Sequence, residues 1–415
     1  MLVSFQLLTI GSAITLLGAK PVEAGNVLPQ SSPAWLNHVA VPTAGVVKQV
    51  PRPDQFQTGD LKPVDLDLSM YPEILKQPPV NHPEVQAVVK AIDWNKVPKI
   101  APRIVKDWTF DIKSYDSDTD KDCWWSATSC KTPKADYLPE DIYYCPRAGD
   151  WGLNYDDGPY KMMYPTSDQD KLYDQPRFYN YLVANNMQRA TLFFVGSNVA
   201  KFPDAAQRAL NNGHTICSHT WSHPQMTSLT NEEVVAQLYW THRAIKQVLG
   251  ITPKCWRPPY GDVDDRVRAI AHQMGMRTIL WDQDSYDWNM VGGQSGGKLQ
   301  PAEVHAFFQK WIDNAKLGND TRGHITLEHE SSKNTIDVAE KWLPKLQETF
   351  NVMPIHQCIN DVHPYWEQAF TYPSSSDKGN GKGSVLVGVK SSASNIQIQG
   401  VMVVLAMMLA CLLGQ

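Results

Sequence analysis

The chain has 415 residues, with 38 Lys and Arg against 43 Asp and Glu, a formal charge of −5. That balance argues against a nucleic-acid partner, which calls for a concentrated basic surface to displace counterions from phosphates. Hydrophobic residues make up 42% and charged residues 20%, which excludes a disordered chain and fits one with a substantial core. The length allows two or three domains, or one large α/β barrel with an extension. The 14 Trp and 16 Tyr supply faces suited to sugar rings, although most aromatics serve a core.

Residues 2–19 are an apolar run, followed by Val22-Glu23-Ala24, a small-residue cleavage pattern. Together they read as a secretory signal peptide over residues 1–24, off pattern only in that Lys20 is the first basic residue. Residues 25–147 are rich in Pro and Trp and show few periodic segments. This extension is expected to wrap the core or to form a small subdomain. Asn81-His82-Pro83 predicts a short helix over 84–92 with Asn81 as its cap.

From residue 151 to 357 the pattern becomes regular. Strand candidates are 152–155, 191–195, 214–218, 254–257, 277–281, 324–328 and 353–356. The helices between them carry start and stop signals. Thr230 and Glu233 form a capping box ahead of Val234, Leu238, Thr241, Ile245 and Leu249 on one face, and Gly250 closes the helix. Asp262 and Asp265 predict a start for a helix over 267–274 closed by Gly275. Pro301 opens another that ends before Gly318. Thr335 is expected to cap the last. Seven strands alternating with helices predict an α/β fold whose parallel strands form a barrel, complete or not. In such barrels the chemistry sits at the C-terminal ends of the strands.

Residues 361–391 read as a Ser/Gly/Lys linker. Over 392–415 the apolar run 401–413 is too short for a confident membrane span. Preceded by Ser391, Ser392, Ala393 and Ser394 and a polar spacer, it has the ordered parts of a glycolipid-anchor signal, with attachment expected at Ser391 or a neighbour. Both ends predict secretion and anchorage at the plasma membrane or cell wall, with membrane association only through the lipid. Of seven cysteines, Cys411 would leave with the tail. The other six, Cys123, Cys130, Cys145, Cys217, Cys255 and Cys358, allow about fifteen pairings. Cys123 and Cys130 are close enough to pair locally. Cys217 and Cys255 fall on sequential strands, where buried thiols are the alternative to a bridge. Asn319-Asp320-Thr321 is the one glycosylation triplet, placed after a helix end and so expected to be exposed.

Polar clusters do follow the strand candidates. The first is Asp156-Asp157-Gly158-Pro159 and the second His219-Thr220-Trp221-Ser222-His223, whose two His, four apart on a helical turn, would face one way and could share a metal. Then come Arg257-Pro258-Pro259-Tyr260-Gly261, Asp284-Ser285-Tyr286-Asp287-Trp288 and Leu327-Glu328-His329. Five clusters at five strand ends supply carboxylates, three His and an Arg. That is the inventory of a mononuclear zinc hydrolase with an open position.

These segments resemble the polysaccharide deacetylases of carbohydrate esterase family 4, the NodB-homology group, and most closely the fungal chitin deacetylases. The resemblance covers about residues 150–357, with a catalytic domain expected over 148–360, and includes the family's five motifs in order. It implies a distorted, incomplete (β/α) barrel. It implies Asp157, His219 and His223 as ligands of Zn²⁺, with Co²⁺ or another divalent cation as the alternative. It further implies Asp156 as general base, Arg257 as the residue orienting that base, and His329 as general acid positioned by Asp287. The Tyr260 backbone N–H would help hold the oxyanion, and Trp288 and Leu327 would line the acetyl pocket. Related fungal enzymes carry a disulfide where a Cys145–Cys358 bridge would close the barrel ends. The sequence departs from the family in having Asn154-Tyr155 where Thr-Phe is common.

The activity so implied is hydrolysis of N-acetyl groups from chitin or N-acetylglucosamine oligomers at the cell surface, by a monomer acting on wall glycans. An O-acetyl esterase acting on xylan or a similar polymer is the nearest rival. A non-catalytic glycan-binding wall protein is the rival from another class, disfavoured because Asp156, Asp157, His219, His223 and His329 are all present. His214 is read as structural, and His242, His272 and His305 as helix residues of surface or core. Glu328 and Glu330 alternate with His329 and are expected to point away from it. The Gly-rich stretch 292–297 is read as a connector in preference to a substrate-facing loop.

Overall fold

The computed structural model describes residues 32–107, 109–161, 175–291 and 297–375. The expected signal peptide, most of the linker, the anchor signal with Ser391, and residues 292–296 of the Gly-rich stretch lie outside the described residues.

The extension carries α1 (Pro83–Ala91), the antiparallel pair β1 (Val105–Lys106) and β2 (Thr109–Phe110), and the one-turn α2 (Trp125–Thr128). It wraps the rest of the chain: its Leu36, Tyr71, Val85, Val88 and Val97 belong to the same apolar core as the barrel helices. The α1 cap is His82, whose Nδ1 accepts the Glu84 amide at 3.3 Å, not Asn81. Glu84 then takes the Tyr239 hydroxyl and, at 3.0 Å, Arg243, which fastens α1 to the longest barrel helix.

Barrel elements alternate from residue 150 onward. They are β3 (Asp150–Asp156), α3 (Gln175–Ala184), β4 (Thr191–Phe194), α4 (Gly196–Lys201), α5 (Pro203–Asn211), β5 (Thr215–Ser218), α6 (Asn231–Leu249), β6 (Cys255–Trp256), α7 (Asp265–Gln273), β7 (Arg277–Thr278), β8 (Gln283–Asp284), α8 (Pro301–Lys316), β9 (His324–Leu327), α9 (Lys333–Thr349), β10 (Asn351–Pro354) and α10 (Ile355–Cys358). All pairings among β3–β10 are parallel. The order is β7-β6-β5-β4-β3-β9-β8, with β10 against the N-terminal half of β3 and β4 against its C-terminal half. The sheet curls into the expected incomplete barrel.

The strand count differs by one. The 277–281 candidate ends as β7 at Thr278, and the chain then crosses from one edge of the sheet to the other, where Gln283 and Asp284 pair with β9 as β8. Only residues 279–282 make the crossing, a reach of roughly 17 Å from Thr278 to Gln283, which sets how nearly the barrel closes. At the other end of the set, the 353–356 candidate begins earlier, at Asn351, and gives way to α10 at Ile355.

Helix ends follow their signals where the cap side chain is free to serve. Thr230 and Glu233 cap α6 reciprocally, and Gly250 (φ 73°) closes it. For α7 the cap is Asp264, which accepts the Val267 amide at 3.0 Å. Asp262 is occupied instead by Thr227, Trp124 and Ser126. For α9 the cap is Ser332, with Thr335 at the third helical position answering it.

Among the described residues three disulfides are present, Cys123–Cys130, Cys145–Cys358 and Cys217–Cys255. The last pair bridges neighbouring strands β5 and β6, so these residues are not the buried thiols considered as the alternative. Among the described residues no helix is long and apolar enough to cross a membrane.

Candidate active site

The site forms where β3, β5, β6, β8 and β9 end. β3 is buried along its whole length and delivers Asp156 into the interior. The chain then turns sharply. Asp157 adopts φ 80°, in the left-handed region, and the Gly158–Pro159 bond is cis. Asn198 steadies the turn by donating Nδ2–H to the Asp157 carbonyl at 2.9 Å.

Asp157 Oδ1 lies 3.6 Å from His219 Nε2 and 3.4 Å from His223 Nε2. Within 4.8 Å of one another, these three groups are spaced to hold one metal ion. The two His do not converge through a helical turn. Residues after His219 form a loop in which Thr220 (φ 66°) and His223 (φ 58°) are both left-handed, and the loop folds His223 back beside His219. His219 donates Nδ1–H to the Arg257 carbonyl at 2.8 Å, which leaves the Nε2 lone pair directed at the site. Burial lowers the His223 pKa to about 4, so its imidazole is neutral near pH 7. Burial alone would raise the Asp157 pKa, but the His219 hydrogen bond and the neighbouring His223 and His329 hold it far below the usual carboxylate range. A carboxylate and two imidazoles are the donor set a divalent cation of borderline softness prefers. Another metal-capable grouping, Asp120 with Cys123 and Cys130, has both thiols committed to a disulfide.

Asp156 is buried and shares an ion pair with buried Arg257, Nη1 to Oδ1 at 2.8 Å. Arg257 is itself fixed from four sides: by Asn154 Oδ1 at 2.6 Å, the Ile279 and Leu280 carbonyls, and the Phe193 ring. Asn154, one of the two departures from the family pattern, thus shares Arg257 with Asp156. Oδ2 of Asp156 faces His219 Nε2 at 3.9 Å.

His329 stands beside this pair. The backbone bridge between Asp156 and His329 continues the β3–β9 register. Its Nδ1–H donates to Asp287 Oδ1 at 2.7 Å, and its amide donates to Oδ2 at 2.8 Å. Burial would depress this imidazole's pKa, yet the charges and hydrogen bonding of Asp287, with Asp157 and Asp156, carry it up to about 10.

Asp157, His219, His223, Asp287 and His329 line one cleft of about 540 Å³, walled by Tyr260, Trp288 and Leu327. Tyr260 is in the left-handed region (φ 59°) and, like Trp288, is substantially exposed. Glu328 and Glu330 are both buried, and Glu328 turns to the Thr326 hydroxyl, which it accepts at 2.6 Å. Burial pushes the Glu328 carboxyl up to about 8 and the Glu330 carboxyl far above its usual range. Glu330, expected in the sequence only to point away from His329, is not among the residues lining the cleft but supports the turn beneath it. Its carboxyl lies against Gly158, where an added Cβ would meet Oε1 at 1.9 Å, so the turn below Asp157 is moulded on it. No sequence signal beyond its alternation with His329 marks it.

The other residues singled out in the sequence place simply. His214 and His242 are buried and hydrogen bonded to backbone. His272 is exposed and His305 half-buried, both on helices outside the cleft. Asn319 is exposed just beyond α8.

A parallel-stranded incomplete barrel here gathers, at its strand ends, a carboxylate and two imidazoles at metal-holding distance, a buried carboxylate paired with Arg257 and a carboxylate-held imidazole, in the place where such barrels carry their chemistry. Residues 144–279 match the family described as polysaccharide deacetylase. A chitin deacetylase of Amylomyces rouxii is 38% identical over 349 residues, covering 82% of this chain and 75% of that protein. Chitin deacetylase 2 of Cryptococcus neoformans var. grubii is 41% identical over 322 residues, covering 75% of this chain and 66% of that protein. The solved chitin deacetylase of Colletotrichum lindemuthianum is similar at 23% identity and a TM-score of 0.46, covering 57% of this chain and 98% of that one. The chain belongs to the polysaccharide deacetylase family.

Proposed function

We propose that this protein hydrolyses the N-acetyl groups of chitin or N-acetylglucosamine oligomers, releasing acetate and leaving free amino sugars. The observation that carries the reading is the meeting, in one cleft, of a metal-capable triad and an imidazole fixed by Asp287, with a carboxylate fixed by Arg257 buried beside His219. The names of the fungal relatives supply the substrate class.

Asp157, His219 and His223 would hold the cation, zinc in first place. When bound, the cation supplies Lewis acidity, polarising the acyl oxygen and making water more acidic. The remaining work falls to the chain. Arg257 occupies Asp156 Oδ1, so Oδ2 is the oxygen left to accept the proton of the attacking water. The tetrahedral oxyanion would find the Tyr260 amide beside it. As the new C–O bond is completed and the C–N bond breaks, the nitrogen must be protonated to leave as an amine. His329, held charged by Asp287, is placed to give that proton from Nε2. Leu327 and Trp288 would enclose the acetyl methyl and limit water.

We further propose that the protein acts outside the cytoplasm, tethered at the membrane or wall. Three disulfides are in keeping with an oxidising compartment, and the apolar ends with their cleavage-like flanks support secretion and lipid anchorage.

The test is acetate release from N-acetylglucosamine oligomers by the purified protein, before and after chelation and with zinc restored. Release that disappears with chelator and returns with zinc supports the reading. A folded, zinc-loaded protein that releases no acetate from these oligomers but does so from acetylated xylan would replace it with the esterase reading.

A further inference from the structure

His219 and His223 are joined by Thr220, Trp221 and Ser222 alone, in a loop whose shape is not that of a helical turn. Thr220 and His223 both hold left-handed backbone, which residues other than glycine adopt at an energetic cost. Such a conformation persists only where its surroundings fix it, and here the backbone groups of the loop are taken up in turn. The Thr220 and Trp221 carbonyls accept the Gly196 and Ser197 amides at the start of α4, at 2.8 and 3.2 Å. The His223 amide donates to the Thr220 hydroxyl at 3.2 Å. The Trp221 and Ser222 amides both donate to a single atom, Gln237 Oε1, at 2.9 Å each.

Gln237 lies on α6 and is fully buried. A carboxamide offers two acceptor sites on its oxygen and two N–H donors, and this one uses them all. Besides accepting the two loop amides, Gln237 donates from Nε2 to Ser222 Oγ at 2.7 Å and to Gln77 Oε1 at 2.9 Å. Most of its bonding capacity is thus spent on the segment between the two histidines. An apolar side chain of the same length would leave both loop amides without an acceptor, and a buried N–H left so is costly. The extension backs the same loop. Trp221 stacks flat on Tyr71, ring centroids 5.8 Å apart, and donates its indole N–H to the Glu73 carbonyl at 3.2 Å. The loop is therefore held from α4, from α6 and from the extension, with Gln237 as the one side chain that reaches its middle.

We propose that Gln237 is the positioning residue of the cation site: by gripping the Trp221 and Ser222 amides it holds the loop in its left-handed form, keeps His223 beside His219, and so sets the affinity for a divalent cation. The inference rests on the metal triad that the deacetylase reading uses. Gln237 does not line the cleft, so its effect would pass entirely through the placement of His223.

Zinc affinity of the purified protein would be measured by competition calorimetry for the wild type, Gln237→Met, Gln237→Glu and the double variant Gln77→Ala/Ser222→Ala, beside urea unfolding of the metal-free proteins. We expect Gln237→Met to weaken zinc binding about 10- to 100-fold, the range for groups that orient metal ligands. Gln237→Glu keeps an oxygen for both amides and should recover most of that loss. Acetate release by Gln237→Met should return toward the native rate as zinc is raised, which the loss of a catalytic group would not allow. If Gln237→Met does not fold, the double variant carries the test: it removes both acceptors of Nε2 and should weaken zinc binding about fivefold. Native zinc affinity in the folded variants, with or without a change in unfolding, would overturn the proposal and leave the deacetylase reading standing. The expected losses of zinc affinity, with a wild type that releases no acetate, would keep the proposal and remove the deacetylase reading. A wild type that binds no zinc would overturn both.

Discussion

Replacing Asp287 with Asn should discharge His329 without moving it. In the native chain Asp287 accepts both the ring Nδ1–H at 2.7 Å and the His329 amide at 2.8 Å. Burial pulls the imidazole pKa down, but the carboxylates around it prevail and carry it to about 10 from the ordinary 6.5. That difference corresponds to roughly 5 kcal/mol in favour of the imidazolium. A cation at Asp157 would cancel that carboxylate's share, which leaves Asp287 as the partner that keeps His329 charged in the loaded enzyme. Because the folded pKa lies above the unfolded one, this stabilisation is complete below about pH 6.5 and is lost as pH rises through the folded value. Asparagine is the same size and still accepts the amide, but it carries no charge. The variant's imidazole would then lose its hydrogen-bonded counter-charge and be neutral at pH 8. We expect acetate release at pH 8 to fall about 10²- to 10³-fold, within the range for a lost general acid. The alkaline limb of the rate profile should move toward acid by about two pH values or more, and imidazole nitrogen NMR of His329 should show the same movement. A variant that loses activity while its alkaline limb stays in place would refute the assignment of the acid.

Asp156→Asn should lower acetate release by about 10²- to 10⁴-fold while zinc affinity, read by calorimetry, changes little. His223→Ala removes one of three ligands and should abolish stoichiometric zinc retention in equilibrium dialysis; a variant that still holds zinc at native affinity would exclude this triad as the site. Gly158→Ala would drive a methyl into the Glu330 carboxyl and the Phe194 ring, and should cost about 1–3 kcal/mol in urea unfolding, with partial recovery when Glu330 is also made Ala. The Cys145–Cys358 bond ties residues 213 apart; replacing both by Ser should lower unfolding free energy by about 3–5 kcal/mol, and no change in the denaturation midpoint would mean that the bond adds nothing to stability.

The candidate site was legible in the sequence as polar clusters that the α/β rule places at strand ends, while the individual roles were what the family resemblance implies. Asp156, His219, Arg257 and His329 belong to those clusters, each just beyond or at the end of a strand. What was not legible depends on loop conformation or on distant partners. The spacing of His219 and His223 suited a helical turn, yet left-handed Thr220 and His223 bring them together instead. Asp262 has the identity and spacing of a cap, but Trp124 and Ser126, more than a hundred residues earlier, claim its carboxylate. The same long separations hide the placement of Trp125 beside Tyr260. β8, two residues long and outside any apolar run, carries no periodicity that marks it in the sequence.

Sheet register explains why so much of the chemistry nonetheless arrives together. Trp151 stands opposite His324, Gly152 opposite Ile325, and, at the same offset, Asp156 opposite His329, a constant parallel register from β3 to the end of β9. A slip of one residue would turn His329 to the other face of the sheet and bring a glutamate into the cleft. The register is held beyond the strands by the very residues of the site. The Asp156 amide donates to the Glu328 carbonyl, the Glu330 amide donates to the Asp156 carbonyl, and Asp287 grips the His329 backbone from the β8 side. On the opposite flank, Arg257 after β6 reaches past two strands to the Asn154 and Asp156 side chains of β3. The spacing between Asp156 and His329 is therefore a consequence of strand pairing, and the ion pairs made by both residues also hold the strands in step.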